Sequence, residues 1–235
     1  MFSKMSKEYY KVTYKTYYNE RVKTVPFQGA ETYPLYVQVT YDRKTIIFKS
    51  YYFDIFSQSK YDYFGTTIDQ IDELENRVMD FVTARYADDF SIDSVHSRYK
   101  MFNIDVLDSL EEPFKEWLIH FFETEKLPGY AALIHSVMKE VSALQLLDEF
   151  KIGLSSPIYN RLEEKAARQG PPYIPLAAFI RQKHSKGPVC LPLHEWIQEQ
   201  KQFEIEEFID ANYGDYDIMK ILRNIRLSLY PKGFW

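Results

Sequence analysis

The sequence predicts an α+β fold: a small three-stranded antiparallel sheet domain followed by a larger all-helical region. Three stretches within residues 9–53, at 9–18, 33–41 and 45–53, alternate apolar and polar with a period of two. From Thr67 onward the apolar residues recur at helical spacing, and Gly65 stands between the two regimes. The expected boundary therefore divides a β domain at 1–66 from a helical region at 67–235, with 170–190 the candidate point of a further division.

The first strand is expected at 9–18, YYKVTYKTYY, rich in residues that suit a pleated, half-buried surface. Val12, Tyr14 and Thr16 share one face, and Lys11, Thr13 and Lys15 the other. Residues 19–32 read as a polar connection containing Pro26 and Gly29. A second strand at 33–41 sets Leu35, Val37, Val39 and Tyr41 against Tyr36, Gln38 and Thr40. Asp42 to Thr45, DRKT, turns the chain. A third strand at 45–53 sets Ile46, Phe48, Ser50 and Tyr52 against Ile47, Lys49 and Tyr51. Three strands need a covering element on one face.

Thr67 is an N-cap candidate for a helix carrying Ile68, Ile71, Leu74, Val78, Phe81 and Val82. A second, short helix opens at Ser91, and a third spans IDVLDSLEEPFKEWLIHFFETEK. A fourth covers GYAALIHSVMKEVSALQLLDEF as one element. A fifth, SPIYNRLEEKAARQG, ends at Gly170 as C-cap. A proline-bounded segment with a short helix follows. Residues 191–229 read as three short helices, split at Gln202 and at NYGDY, where Gly214 turns the chain.

Composition narrows the function classes. The 235 residues carry a net charge of −5, 46% hydrophobic and 17% aromatic residues, which is globular and not disordered. One cysteine, Cys190, forbids an internal disulfide and suits a reducing, cytoplasmic setting. No apolar run approaches the roughly 20 residues of a membrane helix, so no membrane partner is expected. The charge is uneven. Residues 1–66 hold 10 Lys/Arg against 6 Asp/Glu, residues 67–150 hold 7 against 18, and residues 151–235 hold 12 against 10. The N-terminal region is thus locally positive in an acidic chain, and charge acts over about a Debye length of 10 Å.

The order of elements and the stretch YPLYVQVTYDRKTIIFKSYYFDIF together resemble a known family. Pro34, Leu35, Tyr36, Val37, Gln38 and Val39, followed by Arg43 and Lys44, look like the second strand and basic turn of an arm-type DNA-binding domain. That domain stands at the N-terminus of tyrosine recombinases, the integrases of Bacteroidetes mobile elements above all. The resemblance covers about residues 9–66. It implies a sheet laid into the major groove of double-stranded DNA. It also implies another protein of the same element as a partner. The chain departs from the family in having no His-x-x-Arg motif, and Tyr230 has no catalytic partners in the sequence. The resemblance therefore implies a non-catalytic accessory or regulatory protein of a mobile element, without a cofactor.

The residues themselves allow a contact with DNA through Lys11, Thr13, Lys15, Gln38, Thr40, Arg43, Lys44 and Lys49, side chains that can donate to phosphates or base edges. The alternatives are a solvated face whose lysines protect a sheet edge, or a protein-binding sheet. The 12 Tyr and 6 Phe of residues 1–66 could also stack on single-stranded bases, although core packing accounts for them as well. A second basic patch comprises Arg161, Lys165, Arg168, Arg181, Lys183 and Lys186. It could meet phosphates or pair with the acidic middle of its own chain. His184, Cys190 and His194 are zinc-ligand types at a spacing that matches no common closed site, so no metal is expected; a buried thiol and two surface histidines are. His120 near Glu116 and His135 near Glu140 could form acid–base dyads, and Asp105, Asp108, Glu111 and Glu112 could bind a metal only by converging. No phosphate loop, esterase elbow or zincin motif is present, so no enzyme is expected.

Overall fold

The computed structural model describes residues 11–183 and 188–213 and is α+β. Its five strands are β1 (Thr13–Tyr18), β2 (Val25–Phe27), β3 (Ala30–Thr32), β4 (Leu35–Tyr41) and β5 (Lys44–Lys49). The antiparallel main sheet runs β1-β4-β5 with β4 in the centre, and β2 and β3 pair separately. The helices are α1 (Tyr51–Phe56), α2 (Ile68–Arg85), α3 (Ile92–Phe102), α4 (Val106–Thr124) and α5 (Pro128–Ser136), then α6 (Ala143–Gly153), α7 (Ser156–Gln169), α8 (Tyr173–Lys183), α9 (Leu193–Trp196) and α10 (Glu199–Tyr213).

Local chemistry sets the hairpins. Only Asp42 and Arg43 form the β4–β5 turn, with φ of 47° and 62°, and Lys44 and Thr45 already belong to β5. Two left-handed residues in a two-residue loop give the twist that flanking strands need. Gln28 and Gly29 repeat this pattern between β2 and β3, with φ of 50° and 77°. That hairpin lies in the segment expected to be an irregular connection. The Gln28 amide donates to the carbonyl of Phe56 and pins the hairpin onto the end of α1.

The third strand is shorter than expected. Ser50 makes the last bond to β4, its N–H donating to the Leu35 carbonyl at 3.0 Å, and caps α1, its Oγ accepting from Phe53 N at 3.0 Å. The following YYFDIF buries Tyr52, Phe53, Ile55 and Phe56, a helical pattern. Three otherwise orphaned N–H groups of α1 find partners here. Phe53 uses Ser50, Tyr52 N donates to Glu75 Oε1 at 3.2 Å, and Tyr51 N donates to the Tyr99 hydroxyl at 2.8 Å. Glu75 also accepts from Ser50 Oγ at 2.5 Å and from Tyr99 at 2.6 Å. The junction of sheet and helices is thereby tied to α2 and α3.

Helix α2 begins at the expected Thr67, in a capping box with Gln70. Its Ile71, Leu74, Val78, Met79 and Val82 are buried, each contributing about 1.5–3 kcal/mol on removal from water. α2 lies against β1, and α3 lies against β4 and β5, where Phe48 stacks on His96 and meets Tyr99. The sheet, α1, α2 and α3 share one hydrophobic core, which also takes in Cys190. A second core runs from Val106 to Ile209 and includes residues on both sides of 170–190.

Two helical expectations need correction. The fourth expected helix is two, α5 and α6, because Ser142 starts a new helix by accepting from Gln145 N at 3.2 Å. α10 runs unbroken through Gln202, whose side chain donates to the carbonyl of Trp196. Gly170 ends α7 in an extended conformation, and a Cβ there would stand 2.7 Å from the Ala166 carbonyl oxygen. The expected break at Gly214, and residues 9–10 of the first strand, lie outside the described residues.

Candidate nucleic-acid interface

The covered face of the sheet carries Leu35, Val37, Val39 and Phe48, all buried. Among the described residues no helix lies over the opposite face, and pairing arranges its side chains in three rows. Thr13 faces Thr40, which faces Thr45; Lys15 faces Gln38, which faces Ile47; Tyr17 faces Tyr36, which faces Lys49. These nine residues are exposed or half-buried, and none is acidic. Lys11, exposed two residues before β1, continues the alternation of Thr13 and Lys15 outside the paired strand, and Arg43 stands at the hairpin tip.

Of the residues expected to contact DNA, the structure therefore gathers Lys11, Thr13, Lys15, Gln38, Thr40 and Lys49 on one face, with Arg43 at its end. Lys44 is a correction. Its place opposite Tyr41 puts it in phase with Ile46 and Phe48, on the rim of the covered side. The expected turn ran to Thr45, which hid that parity. Tyr17 and Thr45 complete the face, together with Tyr36 and Ile47, which the alternation placed beside Gln38 and Lys49 without naming them as DNA contacts. Ile47 is 51% exposed.

Electrostatics separate the two sides of the sheet. Among the described residues, Lys11, Lys15, Arg43, Lys44 and Lys49 form no ion pair. Two carboxylates of α2 serve the covered side instead. Asp72 accepts from Thr16 and Asp80 from Tyr14, whose hydroxyl is held well above its usual range by burial and by that carboxylate. Asp54 on α1 is the acid that feels Lys49. Partial burial raises its pKa, and the Lys49 charge opposes the rise.

The second basic patch is exposed, but its charges are paired with carboxylates of the same chain. Arg161 and Lys165 both reach Glu125, at 2.8 and 2.9 Å. Arg168 lies 3.3 Å from Glu164, Arg181 2.8 Å from Asp148, and Lys183 2.5 Å from Glu204. Lys186 lies outside the described residues. Glu125 and Asp148 belong to the acidic middle segment, so tertiary packing puts much of this charge to internal use.

The other titratable candidates also resolve into structural roles. Asp105 accepts from Leu107 N and Leu191 N, and burial raises its pKa to about 7. Asp108 takes Lys60 and Tyr61, Glu111 pairs with Lys115 at 2.7 Å, and Glu112 is exposed. Among the described residues no group of three or more His, Cys, Asp or Glu is placed to hold a metal. Cys190 is buried and free. His194 corrects the expectation of a surface histidine. It is 2% exposed, its Nδ1 lies 3.3 Å from the Phe102 carbonyl, and burial lowers its pKa. His184 lies outside the described residues, and His120 and His135 are exposed on their helices.

Among the described residues no helix is long and apolar enough to cross a membrane. No protein-family model, curated protein or solved structure matches the chain.

Proposed function

We propose that the open face of the β1-β4-β5 sheet binds double-stranded DNA in the major groove, in a non-catalytic accessory or regulatory protein of a mobile element. The observation that carries this reading is the three-row face, free of carboxylates and bordered by Lys11, Lys15, Arg43 and Lys49. Three strands spaced about 4.8 Å apart make a ribbon about 10 Å between its outer strands. The major groove is about 12 Å wide and accepts a β-ribbon. The outer strands then bring Lys15 and Lys49 to the phosphate walls, while β4 faces the base edges. The mobile-element role rests on the likeness of residues 9–66 to arm-type domains.

Fluorescence anisotropy of the full chain against random-sequence duplex DNA, at several salt concentrations, tests the reading. Binding should weaken linearly in log salt, with a slope of about −0.9 for each phosphate neutralised. Replacing Lys15, Arg43 and Lys49 together by Ala should reduce that slope by about 2–3. No salt-sensitive binding would overturn the proposal.

Exposed Ile47, diagonal to Tyr36 on the neighbouring strand, favours a second reading in which the face meets a protein. That reading predicts a binding partner for the chain whose affinity falls with Ile47→Asp and responds weakly to salt.

A further inference from the structure

We infer that Gln38 is the base-reading residue of this face and that, with Ile47, it selects an A·T pair; the inference rests on the DNA-binding reading above. Gln38 occupies the middle position of the central strand, between Lys15 on β1 and Ile47 on β5. In a ribbon lying in a groove, the edge strands run beside the phosphate walls and the central strand faces the floor. Gln38 is therefore the side chain of the face best placed to reach base edges.

Its chemistry is unused within the protein. Among the described residues the Gln38 carboxamide has no hydrogen-bond partner. The row beside it differs. The hydroxyls of Thr40 and Thr45 lie 2.9 Å apart and are hydrogen-bonded to each other. A carboxamide presents an acceptor and a donor side by side. Adenine shows the complementary pair in the major groove, with N6–H donating and N7 accepting. The other half of that base pair places the thymine C5-methyl on the same groove floor. Ile47, directly opposite Gln38 and 51% exposed, supplies an apolar surface at that point. Residues directly opposite on antiparallel strands have Cβ atoms about 5 Å apart, so one base pair can meet both. An exposed isoleucine between polar neighbours costs solubility in a free sheet, and contact with a methyl group gives it a role.

Selection from duplexes with a randomised central window, followed by sequencing of the bound fraction, tests this. The wild-type protein should enrich A·T over other pairs at one position by about 5- to 150-fold, the discrimination of a bidentate contact. Gln38→Ala should remove that preference and leave the salt slope on the unselected pool unchanged. Gln38→Glu should move the preference toward a pair containing cytosine, whose N4 amino group donates to a carboxylate. A bound pool with the input composition, or a preference that survives Gln38→Ala, would overturn the inference while leaving the DNA-binding reading intact. Absence of salt-sensitive binding to the unselected pool would overturn both.

Discussion

Replacing Glu75 by Gln should flatten the pH dependence of stability between about pH 4.5 and 7. Glu75 is 1% exposed, and burial raises its pKa from 4.5 to about 7 against the opposing pull of Ser50, Tyr99 and the backbone of Tyr52 and Tyr51. A carboxyl whose folded pKa exceeds its unfolded value binds its proton more tightly in the folded state. Its contribution to stability is complete below about pH 4.5 and is lost as pH rises through about 7. Raising this carboxyl from 4.5 to about 7 makes its ionised form cost about 3 kcal/mol above pH 7. Asp105, raised from 3.8 to about 7, adds a second effect of the same sign. Glutamine keeps an oxygen for Ser50 and Tyr52, and its amide can donate to the Tyr99 hydroxyl, so the α1 cap survives. Urea unfolding at pH 5, 6, 7 and 8 would measure the effect. Relative to wild type, Glu75→Gln should gain about 2.5 kcal/mol between pH 5 and pH 8, with unchanged m-values. Parallel curves for the two proteins would refute the assignment of a titrating, uncompensated carboxyl to this site.

Three further substitutions follow from named contacts. Lys115→Met leaves Glu111 buried without its cation and the Met138 carbonyl without its donor, and should cost about 3–5 kcal/mol by denaturant unfolding. The double change Lys115→Met with Glu111→Leu should recover most of that loss. Thr67→Ala removes the α2 cap and should cost about 1 kcal/mol, or roughly 2–4 °C in Tm by calorimetry. Arg43→Gly relieves a left-handed non-glycine residue and should raise Tm by a similar amount, while lowering the salt slope of any DNA binding by about one.

The sequence disclosed those parts of the fold whose signals are local. Thr67 and Gln70 are three residues apart, so the start of α2 could be read directly. The alternation of β1 and β4 placed Lys15 and Gln38 on the correct common face. The end of β5 was harder, because Ile46, Phe48, Ser50 and Tyr52 continue a strand pattern in phase. Their switch to a helix depends on Glu75 and Tyr99, which approach from 23 to 48 residues away in sequence. The break between α5 and α6 had one local signal, Ser142 followed by Gln145, which the apolar pattern across it obscured. The fate of the second basic patch was beyond local reading. Arg161 meets Glu125 across 36 residues, and Arg181 meets Asp148 across 33.

Register ties the fold to the candidate site. In a sheet with one buried face, a slip of one residue exchanges the two faces. Such a slip of β5 would drive Ile47 and Lys49 toward the core and bring Phe48 into water. The two-residue turn at Asp42 and Arg43 prevents it, since its left-handed residues fix which positions of β4 and β5 lie opposite. The covered face enforces the same register independently, through Phe48 against His96 and Tyr99. The cost of a strained arginine is thus borne by a hairpin whose packing already determines its pairing. Arginine can then stand at the tip, where its charge adds to Lys15 and Lys49. The same register holds Asp72 and Asp80 behind the sheet, bonded to Thr16 and Tyr14. A chain with net charge −5 can in this way present a cationic surface, with sheet and helix layers keeping α2 carboxylates on the far side.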